Sequence, residues 1–501
     1  MPSAVTLLIP EAAMSHSVLS LIASHSLHHS FGCLRFRILL LPNPRILFPV
    51  SFLVMNGRKI VVAINGKNIV VSGSVLRLPV ELLMMIFIFV CFSQKCQASR
   101  FPTARERLSL VCRKWVTIVR SMPRMWQTIC VDAGVHPSAV DAFVRYSAAL
   151  PISVTVAHWE YGHSQASPRR VDRLRYLLSR LLFGSHRWVT VKLDTNWLPT
   201  ARLMMQMLED AALGRLESLS VSCTAFLAPG VLPVGQVYPA VTFAGDYPRL
   251  RKLRIIGFPF TLVSNPSFDR LSHLSVRCIP PTAWPSYVQF VALLAGLPLL
   301  QTLALKGVGC DPLPPGLVPA VVGTVTHLEV EFGVGPHADA RGLANLLRGL
   351  EFPKLTALSL GFHALPSAHG FADSPILSRC GKVKLCGRIC CEYWLGRLYT
   401  SMPDVVELDI SGGAPGFLLG LSRRLTSNNL LPCPMLKVLT VLGGQWAYVR
   451  KVVESRFRSG MPLDKIRYVA NVEDTDSSVE RFFLDDFFYI RTHVGKLEWV
   501  P

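Results

Sequence analysis

One short apolar pattern recurs through the C-terminal three-quarters of the chain, and this recurrence limits the possible folds more than any other feature. Each copy has apolar residues at its first, fourth and sixth positions, as in Leu250-x-x-Leu253-x-Ile255. The fourth positions of the copies are Val191, Leu219, Leu253, Leu274, Leu303, Leu328, Leu358, Val383, Leu408 and Leu439. Short segments of this kind predict strands. Their recurrence predicts stacked repeats that share one core, because a single copy could not bury its apolar face.

Successive copies lie 21 to 34 residues apart, with weaker copies at residues 152–156 and 466–469. Amphipathic helices are predicted between them, over residues 202–213, 286–297, 341–350, 392–399 and 446–458. The step and the pattern resemble the leucine-rich repeat, which implies a horseshoe-shaped solenoid of strands and helices over residues 132–501. The predicted class is therefore α/β. A conventional α/β domain with a parallel sheet is the alternative.

Residues 78–129 form a second distinctive segment, which is too apolar to stand alone. Pro79 suits the first position of a helix, and apolar residues then follow on every face. Thr103 and Glu106 make a possible capping box for a second helix, which would carry an apolar stripe until Pro123 ends it. That stripe is Leu108, Val111, Cys112, Trp115, Ile118 and Val119. About fifty residues bury too little surface for independent stability, so the segment needs the rest of the chain or a partner.

The motifs LP-x-E-L-L-x-x-I-F, L-S-L-V-C-R-K-W and P-R-M-W-x-x-I resemble the F-box of fungal type. This resemblance implies a three-helix domain at residues 75–131 that docks the Skp-type adaptor of cullin–RING ubiquitin ligases. The intervening loop, residues 91–103, is longer than in a minimal F-box. An ordinary buried helical hairpin is the alternative. The residues expected to form the adaptor interface, or the packing that shapes it, are Leu78, Pro79, Leu82, Leu83, Ile86, Phe87, Leu110, Val111, Trp115 and Trp126.

The net charge of +20 raises the question of nucleic-acid binding. Residues 1–126 contain fifteen basic and three acidic residues, so an excess of twelve lies at the front of the chain. No zinc finger, RNP motif or base-reading helix-turn-helix accompanies it. We therefore expect no nucleic-acid partner.

Cysteine usage and motif content indicate an intracellular, non-catalytic protein. Thirteen irregularly spaced cysteines suit reduced thiols in the cytoplasm or nucleus. The one cluster, Cys380, Cys386, Cys390 and Cys391, lacks C-x-x-C spacing, so free thiols are favoured over structural zinc. The sequence has no phosphate-binding loop, nucleophile elbow or H-E-x-x-H motif. We expect no enzymatic activity and no cofactor.

The first 74 residues carry little functional information. Residues 1–57 are apolar and nearly free of acids, and we expect a poorly ordered leader. A membrane helix at 38–55 is disfavoured by Pro42, Pro44 and Pro49, although membrane attachment there is an alternative. Residues 58–74 predict a β-hairpin, because Asn65-Gly66 lies between two β-branched runs.

The residues between the repeat leucines should face outward and form a recognition surface for a protein target. Its predicted basic part and acidic part are Lys252, Arg254, Arg277 and Lys306, and Glu329, Glu331, Glu407 and Asp409. A solvated strand face without a ligand is the alternative. The sequence as a whole predicts a substrate-receptor subunit of a ubiquitin ligase. The rival function is a leucine-rich-repeat scaffold whose helical segment is only a cap.

Overall fold

The structure, a computed structural model, describes part of the chain. The described residues comprise six strand segments between residues 4 and 71, as backbone, and 78–93, 104–159, 168–224, 241–242, 246–257, 260–261, 268–279, 284–309, 318–332, 340–362, 371, 374, 376–387, 392–411, 414–423, 431–442, 446–469 and 480–500. The chain divides into two compact units. They are Met1–Gln127 with Arg145–Leu150, and Thr128–Val144 with Pro151–Pro501.

Six strands in the first unit pair in chain order as an antiparallel sheet. They are β1 (Ala4–Thr6), β2 (Val18–Ser24), β3 (Arg35–Leu41), β4 (Val50–Met55), β5 (Lys59–Ile64) and β6 (Lys67–Val71). In the last pair Ile64 lies opposite Lys67, within the segment for which the sequence predicts a hairpin. The turn residues Asn65 and Gly66 lie outside the described residues. Four of the strands fall in residues 1–57, where the poorly ordered leader stays a prediction.

The helical part of the first unit contains three α-helices and one 3-10 helix. They are α1 (Val80–Ser93), α2 (Ala104–Ser109), α3 (Arg113–Arg120) and the 3-10 helix Pro123–Trp126. The sequence predicts one helix from residue 104 to the proline, and this is wrong. Cys112 is extended, with φ −164° and ψ 166°, and serves as the N-cap of α3, so the chain turns between α2 and α3. The proposed capping residue Thr103 and residues 94–102 lie outside the described part.

The second unit contains a sheet of fourteen strands whose spatial order follows the chain. All neighbouring pairs are parallel. The strands are β7 (Thr128–Val131), β8 (Ile152–Trp159), β9 (Trp188–Thr195), β10 (Ser218–Cys223), β12 (Lys252–Ile256), β14 (His273–Arg277), β15 (Thr302–Lys306), β17 (His327–Phe332), β19 (Ala357–Phe362), β20 (Lys382–Gly387), β21 (Glu407–Ser411), β22 (Val438–Leu442), β23 (Lys465–Val469) and β24 (Lys496–Val500). Two further pairs of two-residue strands are β11 (Val241–Thr242) with β13 (Phe260–Thr261), and β16 (Ala320–Val321) with β18 (Leu350–Glu351).

One row of buried side chains runs from strand to strand across the large sheet. The fourth positions of the sequence pattern pair directly with one another across the sheet, for example Leu274 with Leu303 and Leu328 with Leu358. Every one of these positions from Val191 to Leu439 is at most 2% exposed. Residues alternate between buried and more exposed along most of these strands, for example β10, β12 and β21, because side chains of a strand point to opposite faces. One face of the sheet therefore forms a continuous core, and the other carries polar side chains.

Helices in the connections supply the rest of this core. The remaining α-helices are α4 (Pro137–Tyr146), α5 (Pro168–Leu182), α6 (Leu198–Asp210), α7 (Tyr287–Ala295), α8 (Ala340–Arg348), α9 (Glu392–Thr400), α10 (Ala414–Ser422), α11 (Trp446–Arg458) and α12 (Glu480–His493), with 3-10 helices at Ser185–Arg187 and Leu377–Arg379. Helix α7 starts with a capping box between Ser286 and Gln289. The five helices predicted from sequence correspond to α6, α7, α8, α9 and α11, whereas α4, α5, α10, α12 and β24 are not anticipated.

The turn before each strand also recurs. In several copies the amide of the first leucine donates to the carbonyl three residues earlier, as from Leu250 to Tyr247 at 3.0 Å and from Leu300 to Leu297 at 3.1 Å. The next amide then donates to the preceding copy, as from Gln301 to Ser272. Equivalent bonds in successive copies show that the repetition extends to the backbone. The last weak copy is corrected in one detail: Tyr468, not Val469, is the second buried residue of β23.

A buried arginine fixes the turn before β22. Arg456 is 0% exposed, and its guanidinium donates to the carbonyls of Pro432, Cys433, Pro434 and Leu436 at 3.1 to 3.3 Å. Cys433 has a positive φ of 48°, which is uncommon for a residue with a side chain. Four charge-assisted hydrogen bonds hold this backbone in place.

Candidate interaction surfaces

A small aromatic core holds the helical part of the first unit together. Leu83 and Phe87 of α1 are 1% and 0% exposed, and the Phe87 ring lies 4.6 Å from that of Trp115 on α3. Leu108, Val119 and Trp126 are also buried. Helix α1 thus packs on both later helices with one face. Leu82 and Ile86, on its neighbouring positions, are only partly covered.

Arg105 joins this core, although it lies outside the apolar stripe predicted for its helix. It is 6% exposed and donates to the carbonyl of Met125 at 2.9 Å. Its guanidinium carbon lies 4.5 Å from the centre of the Trp126 ring, within the range of a cation–π contact. Trp126 Nε1 in turn donates to the carbonyl of Val119 at 2.8 Å. The apolar spacing gives no signal for this arginine, because the partner is a tryptophan twenty-one residues away.

The turn between α2 and α3 exposes two large apolar side chains. Leu110 is 81% exposed and Val111 is 57% exposed. Pro79 and Val80, at the start of α1, are exposed as well. Leaving such surface in water forgoes about 25 cal/mol for each Å² that could be buried. A turn of this kind is suited to burial against another protein.

The structure separates the predicted adaptor residues into three groups. Leu83, Phe87 and Trp126 belong to the core, and Leu78, Leu82, Ile86 and Trp115 are partly buried. Pro79, Leu110 and Val111 are exposed. Only the last two groups can contact a partner without rearrangement. Their contact with an adaptor stays a prediction.

The outward face of the large sheet brings the two predicted charge groups of the second unit together. Lys306 lies between two glutamates, with its Nζ 2.6 Å from Glu329 and 2.5 Å from Glu331. Arg277 Nη2 is 3.9 Å from Glu329, too far for a hydrogen bond. The sequence pattern predicts that Lys306 belongs to a basic area next to a separate acidic area. The geometry instead makes Lys306, Glu329 and Glu331 one ion-pair cluster.

Lys252 and Arg254 on β12 differ from Lys306 in having no such partner. Among the described residues, no carboxylate lies within 4.0 Å of either side chain. Burial and then the neighbouring Arg277 lower the pKa of Arg254. On the far part of the sheet, Glu407 pairs with Lys382 at 2.9 Å, and this hydrogen bond lowers the pKa of Glu407. Asp409 lies beside this pair in the register.

Cys380 and Cys386, the described members of the predicted cysteine cluster, are free thiols. Burial raises the pKa of Cys380 to about 12, and its thiol donates to the carbonyl of Ile376. Burial also raises the pKa of Cys386. Cys390 and Cys391 lie outside the described residues. Within the part that is described, no three histidine, cysteine or acidic side chains are grouped so that they could hold a metal ion.

Of the helices that the structure describes, none combines the length and the apolar character needed to cross a membrane. No curated protein matches the sequence. Residues 75–127 match the F-box domain family, and this range coincides with the helices whose turn exposes Leu110 and Val111. The helical segment of this chain is thus an F-box domain, followed by a large parallel sheet.

Proposed function

We propose that the protein is a substrate-receptor subunit of a cullin–RING ubiquitin ligase, of the fungal type. Its F-box domain would dock a Skp-type adaptor, and its strand unit would hold a protein target. The observation that carries this proposal is the pair of exposed apolar residues, Leu110 and Val111, in a domain that matches the F-box family. The chain would supply proximity between target and ligase rather than bond chemistry. Such a subunit would act in the cytoplasm or nucleus, without a cofactor, nucleic acid or membrane.

The strand unit supports the second half of the proposal. Fourteen parallel strands in chain order, with leucines in one buried row, are what a leucine-rich-repeat solenoid requires. We propose that the sheet curves as a horseshoe and binds the target on its outward face. The residues proposed for this contact are Lys252, Arg254, Arg277, Lys306, Glu329, Glu331, Glu407 and Asp409.

Co-expression with a Skp-type adaptor tests the docking step. We expect the wild-type chain to co-purify with the adaptor, and Leu110→Asp with Val111→Asp to lose it, because two charges would enter an apolar contact. Both side chains are exposed, so the variant should keep its fold by circular dichroism. Val288→Asp with Leu299→Asp is the matched control, since these side chains are 70% and 56% exposed in the second unit. Equal recovery of adaptor by all three proteins would refute the docking role.

The rival function is a repeat scaffold in which the F-box helices only cap the strands. The scaffold requires no exposed apolar turn and predicts no recovery of adaptor by the wild-type chain. The double variant Leu82→Asp with Ile86→Asp adds a second test. These half-buried side chains lie next to the core, so we expect it to weaken adaptor recovery and also to lower the stability of the helices.

A further inference from the structure

The outward face of β12, β14 and β15 contains four cations whose positive charge the nearby carboxylates do not fully balance. Lys306 is neutralised by Glu329 and Glu331, and Arg277 approaches Glu329 no closer than 3.9 Å. Lys252 and Arg254 have no carboxylate within 4.0 Å among the described residues. These four cations face Glu329 and Glu331, and Asp194 acts on Arg254 from a longer distance, which leaves an excess of one positive charge.

Besides the negative charge of Asp194, which acts on Arg254 from β9, the surroundings of these cations add hydrogen-bonding groups. In the sheet register, Arg254 of β12 lies between Ser220 of β10 and Ser275 of β14. Ser275 Oγ accepts a hydrogen bond from Arg277 Nε at 3.0 Å. His273 lies beside Lys252, and burial and then Lys252 lower its pKa from 6.5, so its ring is neutral at pH 7. The area is therefore suited to an anion that accepts several hydrogen bonds.

The spacing of the cations indicates the form of that anion. Lys252 and Arg254 are alternate residues of one strand, and alternate side chains on one side of a strand are about 6.6 Å apart. Arg277 pairs with Ile256, the next alternate position, on the neighbouring strand. Along the strand direction, Lys252, Arg254 and Arg277 are therefore spaced two residues apart. Lys252 and Arg254 lie on β12, whereas Arg277 lies on the neighbouring strand β14. An extended peptide presents the side chains of every second residue on one side, at the same spacing of about 6.6 Å.

We propose that β12 and β14 bind an extended acidic segment of a protein target, with carboxylates at alternate positions facing Lys252, Arg254 and Arg277. This proposal rests on the target-binding role above and assigns it a chemistry and a spacing. The carboxylates would relieve the repulsion between Arg254 and Arg277. Lys306 would act indirectly, by occupying the glutamates that would otherwise repel the segment.

Fluorescence anisotropy of the full-length chain tests this proposal. The probe is a labelled seven-residue peptide with glutamate at three alternate positions and serine or glycine elsewhere. We expect Lys252→Gln with Arg254→Gln to weaken its binding about five- to tenfold, which is typical of two exposed charge pairs. Lys384→Gln with Lys437→Gln removes the same charge from exposed positions elsewhere and should bind as the wild type does.

Two comparison peptides separate the alternatives. One places the three glutamates next to one another, and we expect weaker binding because only part of them can face the cations. The other carries a single phosphoserine in place of the glutamates. Preference for the phosphoserine peptide would overturn the carboxylate chemistry, and equal binding of the contiguous peptide would overturn the spacing.

Absence of binding by any peptide, or equal binding by the wild type and Lys252→Gln with Arg254→Gln, would overturn the proposal as a whole. Adaptor recovery measured on the same variants keeps the two proposals distinguishable. We expect Lys252→Gln with Arg254→Gln to co-purify with the adaptor as the wild type does. Loss of peptide binding with retained adaptor recovery therefore supports the acidic-segment site independently of the docking step.

Discussion

The F-box domain and the large sheet differ in how far their leucine side chains are buried. Leu328, in the sheet, is 2% exposed and continues a row of buried side chains from strand to strand. Leu110, in the F-box domain, is 81% exposed at the tip of a turn. In the sheet, the buried apolar side chains of this row stabilise the fold. In the F-box domain, Leu110 is a candidate contact for the proposed adaptor, because the described residues of that domain leave its side chain exposed.

The largest expected effect comes from replacing Arg456, the buried arginine that binds the turn before β22. Arg456→Met keeps the volume but removes the donor to four carbonyls, so we expect a loss of about 3 to 5 kcal/mol in the free energy of unfolding. Urea denaturation measures it. Arg458→Met is the matched control: its side chain is 72% exposed and its partner is Glu454, so a change within about 0.5 kcal/mol is expected. Equal losses would show that the carbonyl contacts contribute nothing.

The second prediction compares the two leucines directly. Leu328→Ala should lower the free energy of unfolding by about 2 to 5 kcal/mol, because it leaves a cavity in a packed row. Leu110→Ala should change it by less than about 0.5 kcal/mol, because the side chain is in water. Urea titrations of both variants provide the measurement. If Leu110→Ala proved as destabilising as Leu328→Ala, the turn would belong to the core of the F-box domain.

The third prediction concerns the ion-pair cluster on the outward face. Lys306→Gln leaves Glu329 and Glu331 facing each other, and we expect a loss of about 1 kcal/mol in stability. It should also weaken binding of the acidic peptide, since the freed glutamates repel it. Added salt should reduce both effects. Stability that is unchanged at low salt would argue against the cluster.

The smallest effect is a pH dependence at the edge of the sheet. Hydrogen bonds from Lys465 and Lys496 lower the pKa of Glu498 from 4.5 to about 2. Because the folded-state pKa is depressed, the carboxylate stabilises the protein above pH 4.5, and this contribution is lost as the pH falls towards 2. Glu498→Gln should therefore show a slightly lower urea midpoint at pH 6 and no difference from the wild type near pH 2. A difference that persists at the lower pH would contradict the ion pairs as its cause.

The regular parts of the fold were predictable from the sequence because a period-two pattern determines which strand face is buried. The row from Val191 to Leu439 follows from that pattern, and five helices follow from the amphipathic spacing of the segments between the strands. The turn at residues 110–112 did not follow, since Val111 and Cys112 belong to an apolar helical stripe that the extended backbone of Cys112 interrupts. The burial of Arg105 and the pairing of Lys306 with Glu329 depend on residues distant in sequence. Spacing within one segment carries no information about such contacts.

We propose above all that the exposed apolar turn of the F-box domain is a docking surface. Isothermal titration calorimetry of the purified full-length chain with a purified Skp-type adaptor tests it most directly. We expect saturable binding of one adaptor with a negative heat-capacity change, which is the mark of buried apolar surface, and a loss of both in Leu110→Asp with Val111→Asp. Saturable binding that is identical in the wild type and this variant, or no binding by either, would contradict the claim.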